Sequence, residues 1–280
     1  MGIRILSCGA GMQSTALALM ACENAVHRVP VHPLVPVYDA VIYCDLGYEP
    51  PWVYEQVAFI QNACEANGIP FHILHTGLYE HYLQNFGERR TCSVPFWSIG
   101  PDGKKAKMRR NCTIDFKITA IHKFARYELL GYKKYQRNRP EDLGAHEMHI
   151  GFSAEERQRI FDSYNPLFVN RFPLVEMGLT RPDNYKYVLE VWGLDTKASA
   201  CCICPFHRNY FFKYLMDYHS ECYNAVLRMD RLLEEKQPKT AIKSQLFISR
   251  SRKRVELLKP ANCNDAECFL YRGKQIWNGF

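Results

Sequence analysis

Ser7-Cys8-Gly9-Ala10-Gly11-Met12-Gln13-Ser14-Thr15 follows the apolar run Ile3-Arg4-Ile5-Leu6 and leads into a stretch rich in Ala, Leu and Met that reaches Glu23. The first run predicts a buried strand and the last a helix over 13–23, with two glycines and a Ser-Thr pair at the bend between them. Strand, glycine-rich loop and helix N-terminus together make an anion-binding arrangement. Glycine lets backbone N–H groups approach an oxyanion, and the helix dipole adds partial positive charge. The loop is not of the Walker form, since no Gly-Lys-Ser/Thr closes it. Nor is it the dinucleotide form, because Ser14 occupies the place of the third glycine. Taken alone, a glycine turn leading into a buried helix is the competing reading.

Working outward, Ala40–Cys44 reads as a second strand ending in Asp45 and Gly47, and 52–66 as a helix stopped by Asn67-Gly68. Phe71–Gly77 gives a third strand, and a further one lies around Met148–Gly151. Strands separated by helices of ten to fifteen residues imply βαβ units and a parallel sheet, hence an α/β fold. After Tyr185 the pattern turns helical, so a nucleotide-binding α/β domain over 1–184 and a helical, cysteine-bearing region over 185–280 are expected. A polar insertion between Phe86 and Asn111 carries a Pro-Asp-Gly turn signal and ends in the cations Lys104, Lys105, Lys107, Arg109 and Arg110.

The 280 residues, 47% hydrophobic and 23% charged, are those of a globular chain. No apolar run approaches the roughly 20 residues of a membrane helix, and the start lacks the layout of a signal peptide, so the expectation is a cytoplasmic protein without membrane association. The formal net charge of +7 allows an anionic partner. Twelve cysteines in a chain of this size point to metal binding or catalysis before disulfides, with Cys22 and Cys64 as core thiols. Cys201-x-x-Cys204, followed by Pro205, places two thiolates where they can face one metal. Iron–sulfur and zinc are both open to such a pair, and a redox dithiol is the weaker third reading.

The loop spacing Gly9-Ala10-Gly11-Met12-Gln13-Ser14-Thr15 resembles the PP-loop of ATP pyrophosphatases and phosphoadenylyl-sulfate (PAPS) reductases, with Met12-Gln13 in place of Lys-Asp. Asp45, Gly47 and Glu49 resemble the second signature of the reductases, with Leu46 where Thr stands. Arg109-Arg110-Asn111-Cys112 through Lys117 resembles their Cys-Cys-x-x-Arg-Lys segment, with Asn111 replacing one cysteine. Ser153, Glu155, Glu156 and Arg159 resemble a further basic segment, and Cys201-x-x-Cys204-Pro205 the cluster-binding turn. Glu267-Cys268-Phe269-Leu270-Tyr271 keeps Glu, Cys and Leu of the mobile reductase tail and loses its Gly and His. The chain is thus similar to the PAPS-reductase-like branch of the PP-loop (adenine nucleotide alpha-hydrolase-like) superfamily, including phage-borne members.

The resemblance implies a doubly wound parallel sheet with a C-terminal, mainly helical extension. It implies that ATP or another adenine nucleotide binds at Ser7, Gly9, Gly11, Gln13, Ser14, Thr15, Asp45, Gly47, Arg109 and Arg159, with Mg as its companion ion. Cys112, Cys201 and Cys204 would hold a [4Fe-4S] cluster, with zinc as the rival metal and the fourth thiol open among Cys202, Cys92, Cys263 and Cys268. Cys268, Asp45 and Lys117 are the implied catalytic residues. Three functions follow from it. The first is sulfur transfer to a nucleic acid or nucleotide substrate after ATP activation, with a sulfur- or electron-donor protein as partner and a homodimer as a compatible assembly. The second is a PAPS or adenylyl-sulfate reductase in which Cys268 attacks sulfur, and the third is a non-catalytic nucleotide or nucleic-acid binding module.

Overall fold

Buried on both faces, the strand Arg4–Cys8 (β1) lies at the centre of the sheet that organises the first half of the molecule. The protein is described from a computed structural model, covering residues 2–258. The remaining strands are β2 (Ala40–Asp45), β3 (Phe71–His75), β4 (Trp97–Ile99), β5 (Lys105–Lys107), β6 (His146–Ile150), β7 (Phe168–Arg171) and β8 (Gln245–Phe247). The α-helices are α1 (Met12–Val26), α2 (Pro51–Ala66), α3 (Leu78–Asn85), α4 (Thr119–Phe124), α5 (Pro173–Glu176), α6 (Arg181–Trp192), α7 (Asn209–Tyr218) and α8 (Ser220–Lys236).

The chain forms two compact units that interleave along the sequence. Among the described residues, one comprises 2–44, Pro51–Leu74 and Thr119–Ser199, and the other comprises Asp45–Pro50, His75–Ile118 and 200–258. The region expected from 185 onward is therefore shared between the units, and segment 75–118 belongs with the later one. That segment carries the polar insertion, whose strand β4 pairs with β8, and this pairing is what draws it to the C-terminal part.

The first unit is built on a five-stranded, all-parallel sheet of order β3-β2-β1-β6-β7. Ile5 pairs with Ala40 of β2 on one side and with Met148 of β6 on the other. Central parallel strands are covered on both faces, which is why β1 and β2 read as continuous apolar runs without alternation. One face packs Ile5, Ile42, Cys44, Met148 and Phe168 against Ile121 and Ala125. The order reverses at β1, where successive strands leave in opposite directions, and this is compatible with a doubly wound fold. In such sheets the crevice at the carboxyl ends of the two diverging strands is where ligands bind.

Helix α1 is almost wholly buried, with Ala16 through Leu19 fully enclosed, and it packs against α2 and α6. Helix α2 ends as its Asn67-Gly68 signal requires, with Gly68 at φ 70, a conformation that glycine adopts without penalty. The second unit holds the three-stranded antiparallel sheet β5-β4-β8 and the amphipathic helices α7 and α8. Residues 100–104 close the β4–β5 hairpin at the Pro-Asp-Gly turn. Among the described residues no helix is long and apolar enough to cross a membrane.

Candidate functional site

In the first unit, β1 delivers its chain at Cys8 into Gly9-Ala10-Gly11, and α1 starts at Met12. Gly11 is the N-cap, and no side chain caps the helix; its first turn contains no acidic residue. The opening N–H groups of a helix lack intrahelical partners. With no side-chain cap and no acidic residue in the first turn itself, they remain suited to an external anion.

Two devices hold the loop. Ala10 is fully buried in the left-handed region at φ 51, a conformation costly to a residue with a Cβ. Its carbonyl accepts a 2.6 Å hydrogen bond from Gln56 Nε2, and Lys197 N–H donates to Oε1 of the same amide. Gln56 is itself buried, so α2 latches the loop and the 197–199 segment together. The second device is internal. Ser14 Oγ accepts from Gly9 N–H at 3.1 Å and donates to the Gly11 carbonyl at 3.1 Å, while Thr15 Oγ1 donates to the same carbonyl at 2.9 Å. Ser14 and Thr15, read in the sequence as ligand contacts, are here the struts of the turn.

Close approach explains two glycines. A Cβ on Gly151, just past β6, would lie 2.8 Å from the Ser14 nitrogen, so the end of β6 presses on the first turn of α1 as no other residue could. A Cβ on Gly11 would lie 2.7 Å from Ser199 Oγ, whereas one on Gly9 would meet nothing within 4 Å. Gln13 Nε2 donates at 2.8 Å to Glu156 Oε2, and Arg181 Nη2 lies 2.9 Å from Glu156 Oε1, with Arg159 paired to the same carboxylate. Burial pushes the Glu156 carboxyl up, but Arg181 and Arg159 outweigh it and hold it below the usual carboxylate range. Arg159 thus joins the loop through Glu156 and Gln13.

Ser7 lies within β1, and the other expected residues that the structure describes fall in the second unit. Asp45 Oδ1 accepts from Gly47 N–H at 2.8 Å, and its Oδ2 lies 3.3 Å from His75 Nδ1. Gly47 sits at φ 75, a conformation strained for any residue with a side chain, and its added Cβ would also displace the Glu80 carboxylate, whose Oε2 would lie 2.6 Å away. Glu49 is 3% exposed. Burial raises its carboxyl to about 7, with Lys117 opposing and Asp45 adding to the shift. Lys117 sits half-buried in the π-helical turn Ile114–Ile118. Arg109 is exposed, and its carbonyl accepts from Ser93 Oγ.

Cys201 and Cys204 bracket a tight turn closed by Cys204 N–H to the Cys201 carbonyl at 2.9 Å. Their thiols hydrogen-bond one another, and accepting that bond, with help from Arg110, draws the Cys204 thiol below its ordinary value. Burial raises the Cys112 thiol, Arg110 and Lys117 oppose, and the field of Cys204 reaches it. Cys112, Cys201 and Cys204 therefore share one electrostatic neighbourhood, yet among the described residues no three His, Cys, Asp or Glu side chains are arranged to hold a metal ion. The donor chemistry fits a thiophilic metal at the Cys201–Cys204 pair. Cys263 and Cys268 lie outside the described residues.

Sequence reasoning did not single out Gln56, Arg181 or Ser199. Each is an isolated polar residue brought to the loop from a distant element, so neither periodicity nor a local motif announces it. No protein-family model, no curated protein sequence and no solved structure matches this chain.

Proposed function

We propose that this chain is an adenine-nucleotide-binding enzyme of sulfur chemistry, related to the PP-loop fold, that activates an oxygen of a nucleic acid or nucleotide substrate with ATP for replacement by sulfur. One observation carries the reading: the uncapped, acid-free start of α1 at the strand-order reversal of a parallel sheet, braced by Gln56 and approached by Gly151. Backbone N–H groups from Gly11 to Gln13 would take the phosphate oxygens. Arg159 and Arg181 supply the guanidinium forks suited to a further oxyanion.

In this chemistry the acceptor oxygen attacks the α-phosphorus, pyrophosphate leaves, and a sulfide from a donor then displaces AMP, so that C=O becomes C=S with no net redox change. Cys201 and Cys204 would supply thiolates to an iron–sulfur cluster, or to zinc in the rival case, with Cys112, in the same electrostatic neighbourhood, as the expected third. When bound, the cluster supplies an open iron able to carry the sulfide. Glu49, neutral or charged near pH 7, stands with Lys117 where a proton can be held.

A second reading, a sulfonucleotide reductase, is favoured by the first turn of α1, which offers Met12 and Gln13 but no lysine to meet a leaving pyrophosphate. Titration of full-length protein with a fluorescent ATP analogue tests nucleotide binding. Pyrophosphate release in the presence of RNA or DNA supports the first reading, and sulfite release from PAPS with a thiol supports the second. Neither product, from protein that binds the nucleotide, would leave the binding module. Iron and zinc analysis after anaerobic purification, compared with Cys201→Ser/Cys204→Ser, tests the metal, and equal metal content in both proteins would sink it.

A further inference from the structure

In the second unit, the antiparallel pairing of β4 with β5 sets Trp97 opposite Lys107 and Ile99 opposite Lys105. Residues opposite and two apart share a face, so Trp97, Ile99, Lys105 and Lys107 stand together on one side of the sheet, while Ser98 turns to the buried side. Around the Trp97 ring three cations gather: Lys107 Nζ at 5.5 Å from its centroid, and the guanidinium carbons of Arg250 at 5.6 Å and Arg252 at 5.2 Å. Beside it the Phe206 ring takes Lys107 at 4.6 Å and Arg110 at 5.4 Å. Trp97 Nε1 donates to the Pro205 carbonyl at 2.7 Å, which ties this aromatic pair to the Cys201–Cys204 turn.

Like charges packed this closely repel. Asp102 is the one carboxylate in the sequence of 97–110, there is none in 245–254, and Asp102 is taken by Lys104 at 3.0 Å. Ring faces attract such cations and hold their stems in place, and Lys105, Lys107, Arg110 and Arg250 remain exposed. Arg252 is fixed further by bonds to the Ser98 and Ala106 carbonyls. The result is a rigid, cation-studded aromatic surface whose charge calls for a polyanion.

We propose that the β4–β5–β8 face, with Phe206 and Arg110, is a docking surface for single-stranded nucleic acid. Phosphates would meet Lys105, Lys107, Arg110 and Arg250, and bases would lie against the aromatic and guanidinium planes, the combination used by sequence-tolerant strand binders. The cations sit on short strands and loops, with no helix among them to enter a duplex groove. The hairpin tip, Gly100-Pro101-Asp102-Gly103, carries no aromatic or large aliphatic side chain to insert into a lipid surface. Arginine planes on rings suit phosphate and bases better than they suit a generic acidic protein surface. That the bound strand is also the acceptor for sulfur rests on the function proposed above, whereas its binding does not.

The test uses full-length protein and fluorescence anisotropy with a fluorescein-labelled single-stranded RNA and its DNA counterpart over a salt series. Wild-type protein should bind with affinity that falls linearly on a log–log salt plot. Lys105→Ala/Lys107→Ala/Arg250→Ala, all exposed positions, should lose at least about tenfold in affinity at low salt and flatten the slope by about 2, at ~0.7 per phosphate contact. An equal-charge control in the other unit, Arg28→Ala/Lys123→Ala/Lys186→Ala, should keep wild-type affinity. Absence of wild-type binding at low salt, or equal losses in both triple variants, would overturn the proposal. So would tighter binding to duplex, to phosphatidylserine vesicles or to polyglutamate. Binding of the fluorescent ATP analogue, measured in parallel, should be unchanged in the first triple variant. If the strand binds and the nucleotide does not, the nucleotide reading fails and the docking face stands.

Discussion

Gly9 and Gly151 flank the same helix N-terminus and give opposite forecasts for the same substitution. Gly9 has open space above it and a φ outside the left-handed region, so Gly9→Ala should fold with an unchanged thermal midpoint. If a phosphate is cradled there, the added methyl group intrudes on it, and affinity for an ATP analogue should drop about tenfold or more, on the scale of 1.4 kcal/mol. Gly9→Ala with both stability and affinity intact would remove the loop from the site. Gly151→Ala places a Cβ 2.8 Å from the Ser14 nitrogen, where backbone and not a flexible side chain must give way. Overpacking of this kind costs about 1–3 kcal/mol, so urea unfolding should show the loss with no ligand present. A neutral Gly151→Ala would mean that β6 and α1 separate easily. Gln56→Leu belongs with Gly151→Ala, since it leaves the buried Ala10 carbonyl without its partner, at about 1–3 kcal/mol, and also removes the acceptor of the half-buried Lys197 N–H.

At the scale of elements, α6 shows how local helix chemistry supports the site from a distance. Thr180 Oγ1 accepts from Asp183 N–H, the Asp183 carboxylate accepts from Thr180 N–H at 2.9 Å, and Pro182 sits in the first turn. This capping box fixes the helix start, and with it Arg181, the first helical residue, which reaches Glu156. Thr180→Ala should cost about 1 kcal/mol in chemical unfolding, and a change within error would show that Pro182 and packing suffice without the cap. Capping and turn signals such as these are legible in sequence. So are β1 and β2, because a strand buried on both faces spells itself as an apolar run. The edge strand β7 is not, since its four residues alternate burial with exposure and include Asn170 and Arg171. Nor is β5, Lys-Ala-Lys, wholly exposed and made a strand only by its partner β4. The glycine loop could be read because its chemistry is contiguous. The Glu156 hub could not be read as a unit: Gln13, Glu156 and Arg159 each stand in a motif, but their meeting with Arg181 exists only once 154–159, α1 and α6 have come together.

Across the whole chain, the histidines give the fold a distinctive response to acid. Of ten, five have their protonation pushed to lower pH, and burial is the leading cause in each: His72, His122, His146, His149 and His207. His207 is the extreme case, lowered to about 3, with its ring stacked on Phe211 and its Nε2 3.0 Å from the Cys201 carbonyl. A histidine kept neutral in the folded state takes up its proton only on unfolding once the pH falls below about 6.5. The unfolded state therefore binds more protons in that range, and stability rises with pH through it. His207 alone contributes about 1.4 kcal/mol for each pH unit between 6.5 and its folded value. Two carboxylates held low against burial, Glu147 by His149 and Arg171 and Glu156 by Arg181 and Arg159, act in the same direction but only where carboxylates titrate, nearer pH 4. The two groups thus separate by pH. Thermal midpoints taken from pH 7.5 to 5 should fall once below about 6.5, where the five histidines outweigh Glu49, whose raised carboxyl takes up its proton in the folded state and acts in the opposite direction. His207→Gln, which cannot titrate, should show a shallower fall over the same window than wild type, whatever its own midpoint at pH 7.5. A His207→Gln profile no shallower than wild type between pH 6.5 and 5 would mean that this ring reaches solvent or a compensating anion in the folded protein.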